Sequence, residues 1–497
     1  MPDTPGKEAI TQAEARVLED LRAKRRARQF DRWLGWAIVA VGFALALSPG
    51  AATAALLVGS ALTLWRLRAD PAMHFRRLPF DIPVLIFAGF GAASILVSPD
   101  LAFSFYNYYN LVGVYLLMYF FIGQNLRTGR ELKLLIASLT ASALLCVLYG
   151  FYQFAFGIDT SAMKWVDGEA FPELRKRVFS TWENPNIFAG YLDVMMCLVF
   201  GVFLRVKARG QRLVLALALL ALAACLAMTY ARGACLAIAA VFLAYGALRD
   251  WRVLVGCVLA GGGILALDPA LLERMTSVFT RLDTSSEMRL AFWESTVAMI
   301  ADHPFLGIGW GAYWMVYPLY DFYMQGAAGT TIKIVHAHNM YLNYAAEIGI
   351  IGALAFFWFF FGTLVTALRT RFLTPEEIER EAQAGRAPQP TDLSPESGID
   401  EELRAVHESV AARTEAPAWN WAAFRAEVSH WEERRLASGF ALGIGLALVS
   451  IALNGLTDDL LFNIPSSMLM WMLAAAAASL SLVSKREQAA TRKEQQT

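Results

Sequence analysis

The chain has 497 residues, 57% of them hydrophobic, and carries 43 basic and 43 acidic residues. Its mean hydropathy is +0.44. A soluble protein of this length would be less apolar and would divide into two or three cores. Here the apolar residues form blocks of about 17 to 25 residues with almost no charge, the length needed to cross roughly 30 Å of hydrocarbon. The composition excludes an ordinary soluble protein, and we expect membrane lipids around the chain and no nucleic-acid partner.

The first segment, residues 1–33, is polar and helix-prone. The apolar block that follows it leads straight into a second block, without the small-residue processing site of a cleavable signal peptide. We therefore expect a cytoplasmic N-terminal segment. It ends in a basic run made of Lys24, Arg25, Arg26, Arg28 and Arg32.

Twelve apolar blocks follow, and each is predicted to be a transmembrane helix. With the N-terminal segment inside, 34 of the 43 Lys and Arg residues fall on the cytoplasmic side, so the positive-inside rule holds at every short loop. The sequence therefore predicts an all-α polytopic integral membrane protein with about 12 transmembrane helices and a long helical periplasmic loop. The blocks cover approximately residues 34–49, 51–66, 79–98, 108–124, 134–156, 186–204, 213–231, 232–248, 251–268, 340–368, 437–456 and 466–484.

This topology divides the chain into parts. Transmembrane helices 1–9 occupy residues 34–268, and residues 269–339 form the long periplasmic loop. Helices 10–12 lie within residues 340–484, which also contain a cytoplasmic insertion at 370–436, and residues 485–497 form a cytoplasmic tail. The insertion is rich in Glu and Pro, so we expect it to be partly disordered and without a catalytic role. All five cysteines fall inside apolar blocks, so no disulfide framework or CxxC metal site is expected.

Two outside segments are too long to be turns. The first, residues 157–185, contains the basic cluster Arg175, Lys176 and Arg177 before an Asn-Pro-Asn turn, whose simplest interpretation is a capped helix start. The second, residues 269–339, contains two stretches with helical periodicity, which we expect to be amphipathic helices at the membrane interface. Their apolar faces are marked by Leu271, Met275, Val278 and Leu282, and by Trp293, Val297 and Ile300.

The clearest candidate site is a pair of histidines, His336 and His338, at the end of the long outside loop. Asn339 is a favourable N-cap residue for the helix that follows, and it would place His338 in the positive field of the helix N-terminus. That field favours the neutral imidazole that a general base needs. The alternative is a histidine that only caps the helix. We expect His336 to point away from His338 and to be structural.

Three further charged residues are candidates near the outer face. Glu347 lies nine residues into its span, hence roughly 13 Å deep if the span is helical, and an intramembrane carboxylate is a functional candidate. Its alternative role is as a structural partner for a buried Arg or Tyr. Arg232 stands at the outer junction of two spans, and Arg289 lies one turn before Trp293 on a predicted amphipathic helix. Such arginines either pair with lipid headgroups or clamp a phosphate.

Several familiar catalytic motifs do not occur in the sequence. The Gly-rich run at residues 307–311 follows no strand, so it is not a nucleotide-binding fingerprint. We find no serine nucleophile elbow, no HExxH and no Asp-rich metal motif. We therefore expect no metal ion and no cofactor.

Three motifs follow one another along the middle of the chain: the isolated Arg232, an R-x-x-x-W motif from Arg289 that leads into HPFLGIGWG, and an H-x-H-N-x-Y-L motif from His336 that leads into E-I-G-x-x-G. In order and spacing they resemble the O-antigen ligase / O-antigen polymerase superfamily. That group includes WaaL-type ligases, Wzy-type polymerases and PglL-type protein O-oligosaccharyltransferases. The strong motifs cover about 175–352.

The resemblance implies roles for particular residues. His338 resembles the family's catalytic histidine, and Arg232 and Arg289 resemble its two pyrophosphate-binding arginines. Arg177, His336 and Glu347 are supporting candidates. The 370–436 insertion has no counterpart in the family pattern.

The resemblance also implies a reaction, that of a metal-independent inverting glycosyltransferase on the periplasmic face of the bacterial inner membrane. The donor would be an undecaprenyl-diphosphate-linked glycan. The arginines would neutralise the departing diphosphate while the histidine removes a proton from an acceptor hydroxyl. The acceptor stays open among lipid A–core, which defines an O-antigen ligase, the end of another glycan, and a protein hydroxyl.

Two other classes of function compete with this interpretation. A transporter of lipid-linked saccharides would carry charged residues through the bilayer core and show pseudo-symmetric halves. Here the candidate charges instead gather on one face around a long loop. A non-catalytic scaffold of a polysaccharide assembly complex would make His338 dispensable.

Overall fold

The computed structural model describes residues 5–71, 73–157, 177–280, 284–321, 334–372 and 421–494. Every regular element within these ranges is a helix, and the protein is an all-α polytopic membrane protein, as predicted. Most of the predicted insertion, residues 373–420, lies outside the described residues. So do Arg175 and Lys176, and the side chains of Val278 and Leu282.

The helices follow the apolar blocks of the sequence closely, because a membrane helix satisfies its backbone internally and needs only an unbroken apolar surface. The first half of the chain holds α1 (Pro5–Ala44), α2 (Pro49–Ala69), α3 (Asp81–Ser94), α4 (Leu101–Asn125), α5 (Gly129–Phe156), α6 (Pro185–Arg205), α7 (Arg209–Ala227) and α8 (Arg232–Arg249). The second half holds α9 (Trp251–Leu267), α10 (Pro269–Thr280), α11 (Thr284–Asp302), α12 (Tyr313–Val316), α13 (Met340–Arg369), α14 (Trp421–Asn454) and α15 (Ile464–Glu494). The two stretches with helical periodicity in the long loop are α10 and α11.

Eight helices in the described part of the chain are long and apolar enough to cross a membrane. They are α2, α5, α6, α7, α8, α13, the part of α14 from Glu433, and α15 as far as Ala489. Two shorter apolar helices are Asp81–Val97 and α9. The predicted twelve spans also include parts of α1 and α4, and the count of twelve stays a prediction.

Short polar side chains begin many of these helices. Ser48, Asp100, Thr128, Asn184 and Asp250 each accept a hydrogen bond from a backbone N–H in the first turn of α2, α4, α5, α6 and α9 respectively. Such caps satisfy N–H groups that have no partner inside the helix. A proline stands in the first turn of α2 and α6, where its missing N–H costs nothing. The caps explain why long apolar blocks divide where they do.

The centre of the bundle is built from α6, α13, α14 and α15. The backbones of α6 and α14 touch, because a Cβ on Gly201 would lie 2.3 Å from the carbonyl oxygen of Gly439. Small residues permit such close approach between membrane helices. Trp471 of α15 is fully buried, and its ring stacks on that of Phe359 in α13 at 4.5 Å. In contrast, α9 has no buried residue and lies at the periphery.

The two ends of the bundle differ in what they carry. At one end, ion pairs join α5 to α14 (Lys133 to Glu433, 2.7 Å) and α14 to α15 (Arg434 to Glu487, 3.1 Å). At the opposite end lie the start of α6, the start of α8, the start of α13 and the turn between α14 and α15. These segments carry the candidate site residues, so the fold gathers them at one end.

The helix α13 is interrupted at Gly349, whose φ of 74° and ψ of 170° are not helical. The interruption leaves backbone groups without helical partners, and the Gly-rich segment that follows α11 pairs with them. The N–H donors and carbonyl acceptors are Ile308 with Ala346 (2.8 Å), Gly309 with Glu347 (3.1 Å) and Ile350 with Pro304 (2.9 Å). The segment between α11 and α12 is thus joined by backbone hydrogen bonds to the interior of α13.

We expect Gly349→Ala to destabilise the protein. A Cβ there would lie 2.1 Å from the carbonyl oxygen of Phe305, and the φ of 74° disfavours any residue with a Cβ. The backbone strain alone costs about 1–3 kcal/mol. The melting temperature of the purified protein in nanodiscs should therefore fall by several degrees. Gly89→Ala is the matched control because nothing lies within 4 Å of its Cβ position; equal melting temperatures for the two variants would contradict this account.

Candidate active site

Two side chains far apart in the sequence meet at this end of the bundle. The Nδ1 atom of His338 lies 3.2 Å from Oδ1 of Asp458. The His338 side chain is 33% exposed and that of Asp458 is 15% exposed, so the pair is sheltered but open on one side. At this distance an imidazole N–H donates to a carboxylate, and the other ring nitrogen stays available.

The turn between α14 and α15 brings Asp458 to the start of α13. The N–H of Met340 donates to the carbonyl of Gly455 (2.9 Å), and Nδ2 of Asn339 donates to the carbonyl of Leu456 (3.0 Å). Asn339 is the N-cap of α13, as predicted, and its side-chain oxygen accepts two N–H groups of the first turn. The same residue therefore begins the helix and holds the turn.

The helix α11 covers His338. The ring of Phe292, which is 4% exposed, stacks on the His338 ring with a centroid distance of 5.8 Å. Nε1 of Trp293 donates to the backbone carbonyl of His338 over 3.4 Å. Arg289 lies one turn before these aromatics on the same helix. The R-x-x-x-W spacing thus places an arginine and two aromatic rings over the histidine.

His336 does not point away from His338, so that expectation is wrong. The two ring centroids are 4.1 Å apart, and Nδ1 of His336 accepts the backbone N–H of His338 (3.1 Å). Phe462 packs on His336 at 4.7 Å. Side chains two residues apart on an extended chain share a side; His338 itself has a left-handed φ of 48°.

These contacts set the charges of three groups. Burial alone would raise the pKa of Asp458, but the hydrogen bond from His338 and the fields of both histidines and of Arg289 hold it well below its usual range. Burial, together with the fields of His338 and Arg289, lowers the pKa of His336 to about 3. Burial and the charge of Asp458 raise the pKa of Asp459 to about 7. At neutral pH Asp458 is ionised and His336 is neutral.

The two arginines expected to bind diphosphate lie on helices that approach this group. Arg289 is close enough for its charge to act on the pKa of Asp458. Arg232 begins α8, and the next residue packs against the turn: a Cβ on Gly233 would lie 3.3 Å from Oγ1 of Thr457. The structure therefore brings the starts of α8 and α13 and one face of α11 around a single turn.

The buried Arg177 connects two of the segments around this site. It is 8% exposed, and its guanidinium donates to the carbonyl of Thr229 (2.7 Å) and to Oδ1 of Asn186 (2.6 Å). The N–H of the next residue, Val178, donates to the carbonyl of Met228 (3.1 Å). These contacts link the start of α6 to the turn that precedes Arg232.

Glu347 lies in α13, two residues before the interruption, and is 7% exposed. Its Oε2 accepts the backbone N–H of Gly311 (3.1 Å). Among the described residues its hydrogen-bond partner is thus a main-chain group, not the buried Arg or Tyr of the structural alternative. The last glycine of the HPFLGIGWG motif is the residue that reaches it.

His336, His338 and Asp458 form a group that could hold a metal ion. Each offers one ligand atom, and these atoms lie within 4.8 Å of one another. Three such ligands with one open position are common at zinc sites. The sequence showed no ligand pattern because Asp458 lies 120 residues from His338. In the present geometry Asp458 already engages Nδ1 of His338, so an ion would have to displace that contact.

Little in the sequence points to Asp458. The only signal is that Asp458 and Asp459 are adjacent acids in the short loop between the last two spans. Two acids in a short loop are weak evidence by themselves. Their assignment needed the contact across the bundle.

Comparison with known families found a match in the middle of the chain. Residues 188–357 match the family model described as O-antigen ligase. The matched segment runs from α6 into α13 and contains Arg232, Arg289 and His338, whereas Asp458 lies beyond it. No curated protein matched the sequence.

The lowered pKa of His336 predicts a pH dependence of stability. In the unfolded chain this imidazole takes up a proton near pH 6.5, about its ordinary pKa, whereas the folded protein resists protonation down to about pH 3. The unfolded state therefore binds more protons in this window, and stability falls as the pH falls. The melting temperature of the wild type minus that of His336→Gln should decrease between about pH 7 and pH 5.

The control for this measurement is His303→Gln, which removes an exposed histidine outside the cluster. It accounts for the effect of the substitution itself. A difference between wild type and His336→Gln that stays flat or rises as the pH is lowered would show that His336 is not held neutral.

Proposed function

Because the chain belongs to the O-antigen ligase and O-antigen polymerase superfamily, we propose that it transfers a glycan from an undecaprenyl-diphosphate donor to an acceptor hydroxyl. One observation carries the proposal. An ionised Asp458 accepts a hydrogen bond from Nδ1 of His338 at an open end of a membrane helix bundle. That arrangement leaves Nε2 of the imidazole with the lone pair of a general base.

In the proposed reaction Nε2 of His338 removes the proton of the acceptor hydroxyl. The acceptor oxygen attacks the anomeric carbon of the donor sugar from the face opposite the diphosphate. The bond between that carbon and the diphosphate oxygen breaks, and its electron pair leaves with the diphosphate. One displacement without a covalent intermediate inverts the anomeric centre. Asp458 keeps the ring in the required tautomer and stabilises the imidazolium that forms.

The two arginines suit the leaving group. The diphosphate gains negative charge as its bond to the sugar breaks, and guanidinium groups bind phosphate oxygens in a bidentate manner. Arg232 stands at the N-terminus of α8, and the positive end of a helix dipole also attracts anions. Arg289 reaches the same region from α11. Together they supply the positive charge that a metal ion supplies in many phosphate-transfer sites.

We propose that no metal ion takes part. The carboxylate that would be a ligand, Asp458, is the group that orients His338. An ion bound by His336, His338 and Asp458 would remove both the free lone pair and its orienting partner. The cluster therefore fits a base with its support better than a metal-dependent centre.

The proposed location is the periplasmic face of the bacterial inner membrane. The basic residues expected on the cytoplasmic side include Lys133 and Arg434, which lie at the end of the bundle opposite His338. This agrees with the positive-inside rule. The proposed acceptor is lipid A–core, with a Wzy-type polymerase or a protein O-oligosaccharyltransferase as the alternative within the superfamily.

The division of roles predicts different kinetic defects. His338→Ala should leave donor binding nearly intact and lower single-turnover transfer by about 10²–10⁴-fold, the usual cost of losing a general base. Asp458→Asn should also act on turnover, because it changes the tautomer and not the donor contacts. Arg232→Ala and Arg289→Ala should weaken donor binding as well, because diphosphate is charged in both ground and transition states. Lysine should replace either arginine poorly.

These variants are measured with lipid-linked donor in nanodiscs, by donor affinity and by single-turnover rate. His303→Ala is the control, because this exposed histidine lies outside the cluster. His336→Ala should reduce the rate less than His338→Ala, since it only supports the ring. If His338→Ala keeps more than about a tenth of the rate, the base is misassigned; if neither histidine matters, the transferase proposal fails.

Metal independence gives a separate prediction. Transfer by the purified protein should keep most of its rate in excess EDTA, because arginines supply the charge that a metal would supply. Added zinc should inhibit transfer, because His336, His338 and Asp458 offer it three ligands. Donor binding by the His338→Ala variant should respond less to zinc than donor binding by the wild type. Loss of activity in EDTA that returns with magnesium or manganese would refute the arginine-based mechanism.

A further inference from the structure

A cavity of about 450 Å³ opens beside the histidine–aspartate group. Val335 and Phe462 contribute to its wall, and Phe462 also packs on His336. Asp459, another wall residue, directly follows Asp458. The cavity wall therefore contains neighbours of the histidine–aspartate group, and a molecule in the cavity lies close to it.

Two buried carboxylates line this cavity. Glu347 is 7% exposed and Asp459 is 4% exposed. The described residues give the Glu347 carboxylate one hydrogen bond, from the N–H of Gly311, although a carboxylate can accept several. Buried polar groups of native proteins are normally satisfied. The cavity is therefore adapted to an occupant that donates hydrogen bonds.

Aromatic rings and amides make up much of the remaining wall. Trp310, Trp314 and Tyr115 line the cavity, and Phe103 packs edge-on against Trp314 at 5.8 Å. The negative face of an aromatic ring attracts positively polarised C–H groups. Asn107, whose Nδ2 donates to the carbonyl of residue 103, keeps its side-chain oxygen as a further acceptor.

We propose that this cavity binds a sugar ring of a reacting glycan, with Glu347 and Asp459 accepting its hydroxyl groups and the tryptophans packing on its C–H face. The inference deepens the proposed transfer reaction and rests on it for the identity of the glycan. A lipid acyl chain fits the aromatic wall but donates no hydrogen bonds, so it would leave the carboxylates buried against hydrocarbon. A sugar ring offers hydroxyl donors to the carboxylates and C–H groups to the aromatic rings.

The ring could belong to the donor glycan or to the acceptor, and the chemistry of recognition is the same. The test is therefore a binding titration by saturation-transfer NMR on the full chain in nanodiscs, with two probes. One probe is the glycan released from the lipid-linked donor by mild acid, and the other is the core oligosaccharide of delipidated lipopolysaccharide. Neither probe carries diphosphate or lipid, so the arginines and the membrane do not contribute.

Two variants alter the cavity and two are matched controls. Leu111→Trp fills the cavity from α4, and Phe105→Trp places the same ring on the 59% exposed face of that helix. Glu347→Gln keeps an acceptor for Gly311 but replaces the second acceptor oxygen with an NH2 donor. Asp302→Asn is its control, because this exposed carboxylate lies outside the cavity and accepts from Tyr320. Melting temperatures identify any variant that fails to fold.

We expect the wild type, Phe105→Trp and Asp302→Asn to bind at least one probe. Glu347→Gln should bind it up to about tenfold more weakly, the loss expected when one hydrogen bond to the ligand is removed, and Leu111→Trp should not bind it. Binding of only one probe assigns the cavity to the donor or to the acceptor. The proposal is overturned if neither probe binds the wild type, or if folded Leu111→Trp and Glu347→Gln both bind like the wild type.

A parallel transfer assay keeps the two proposals separate. His338→Ala should bind the probe as the wild type does while losing turnover. If the wild type binds a probe, the cavity variants lose that binding and the wild type transfers no glycan, the transferase is rejected and the sugar site is retained. If the wild type transfers glycan but the cavity variants bind the probes as well as the wild type does, the sugar site is rejected and the transferase is retained.

Discussion

The geometry around His338 depends on how firmly the turn between α14 and α15 is held. The start of α13 binds two of its carbonyls, through Met340 and Asn339, and Gly233 at the start of α8 packs against its other side. A buried polar network of this kind is rigid only when its members are all paired. Because the turn is fixed from both sides, Asp458 meets His338 without regular secondary structure of its own. The orientation of the imidazole is thus a product of helix packing.

The interruption of α13 answers a different constraint. An unpaired backbone group at membrane depth costs several kcal/mol, so a broken helix needs outside partners. The segment after α11 provides them and is held in place by the same hydrogen bonds. As a result Gly311 arrives at Glu347, and an otherwise exposed loop becomes a wall of the cavity. Broken helices serve in the same way at binding sites of membrane transporters.

Much of the fold follows from the sequence, because apolar blocks and N-cap residues are local signals. The start of α13 at Asn339 was predicted in this way. Two features were not predictable. The contact of Asp458 with His338 spans 120 positions, and periodicity carries no information about such pairs. The packing of His336 on His338 occurs beside a left-handed backbone at His338 that only the folded structure reveals. The sequence motifs contain His338 and the two arginines, whereas Asp458, which contacts His338, lies elsewhere in the chain.

The left-handed conformation of His338 limits what can replace it. A residue with a Cβ in this region costs roughly 1–2 kcal/mol, and Asn is among the few that visit it readily. Position 338 is therefore restricted twice, once by the proposed proton transfer and once by the conformation of its backbone. Asparagine meets the second restriction and not the first, since its amide is not a base. His338→Asn is accordingly the natural choice for trapping an intact complex with both substrates for structure determination.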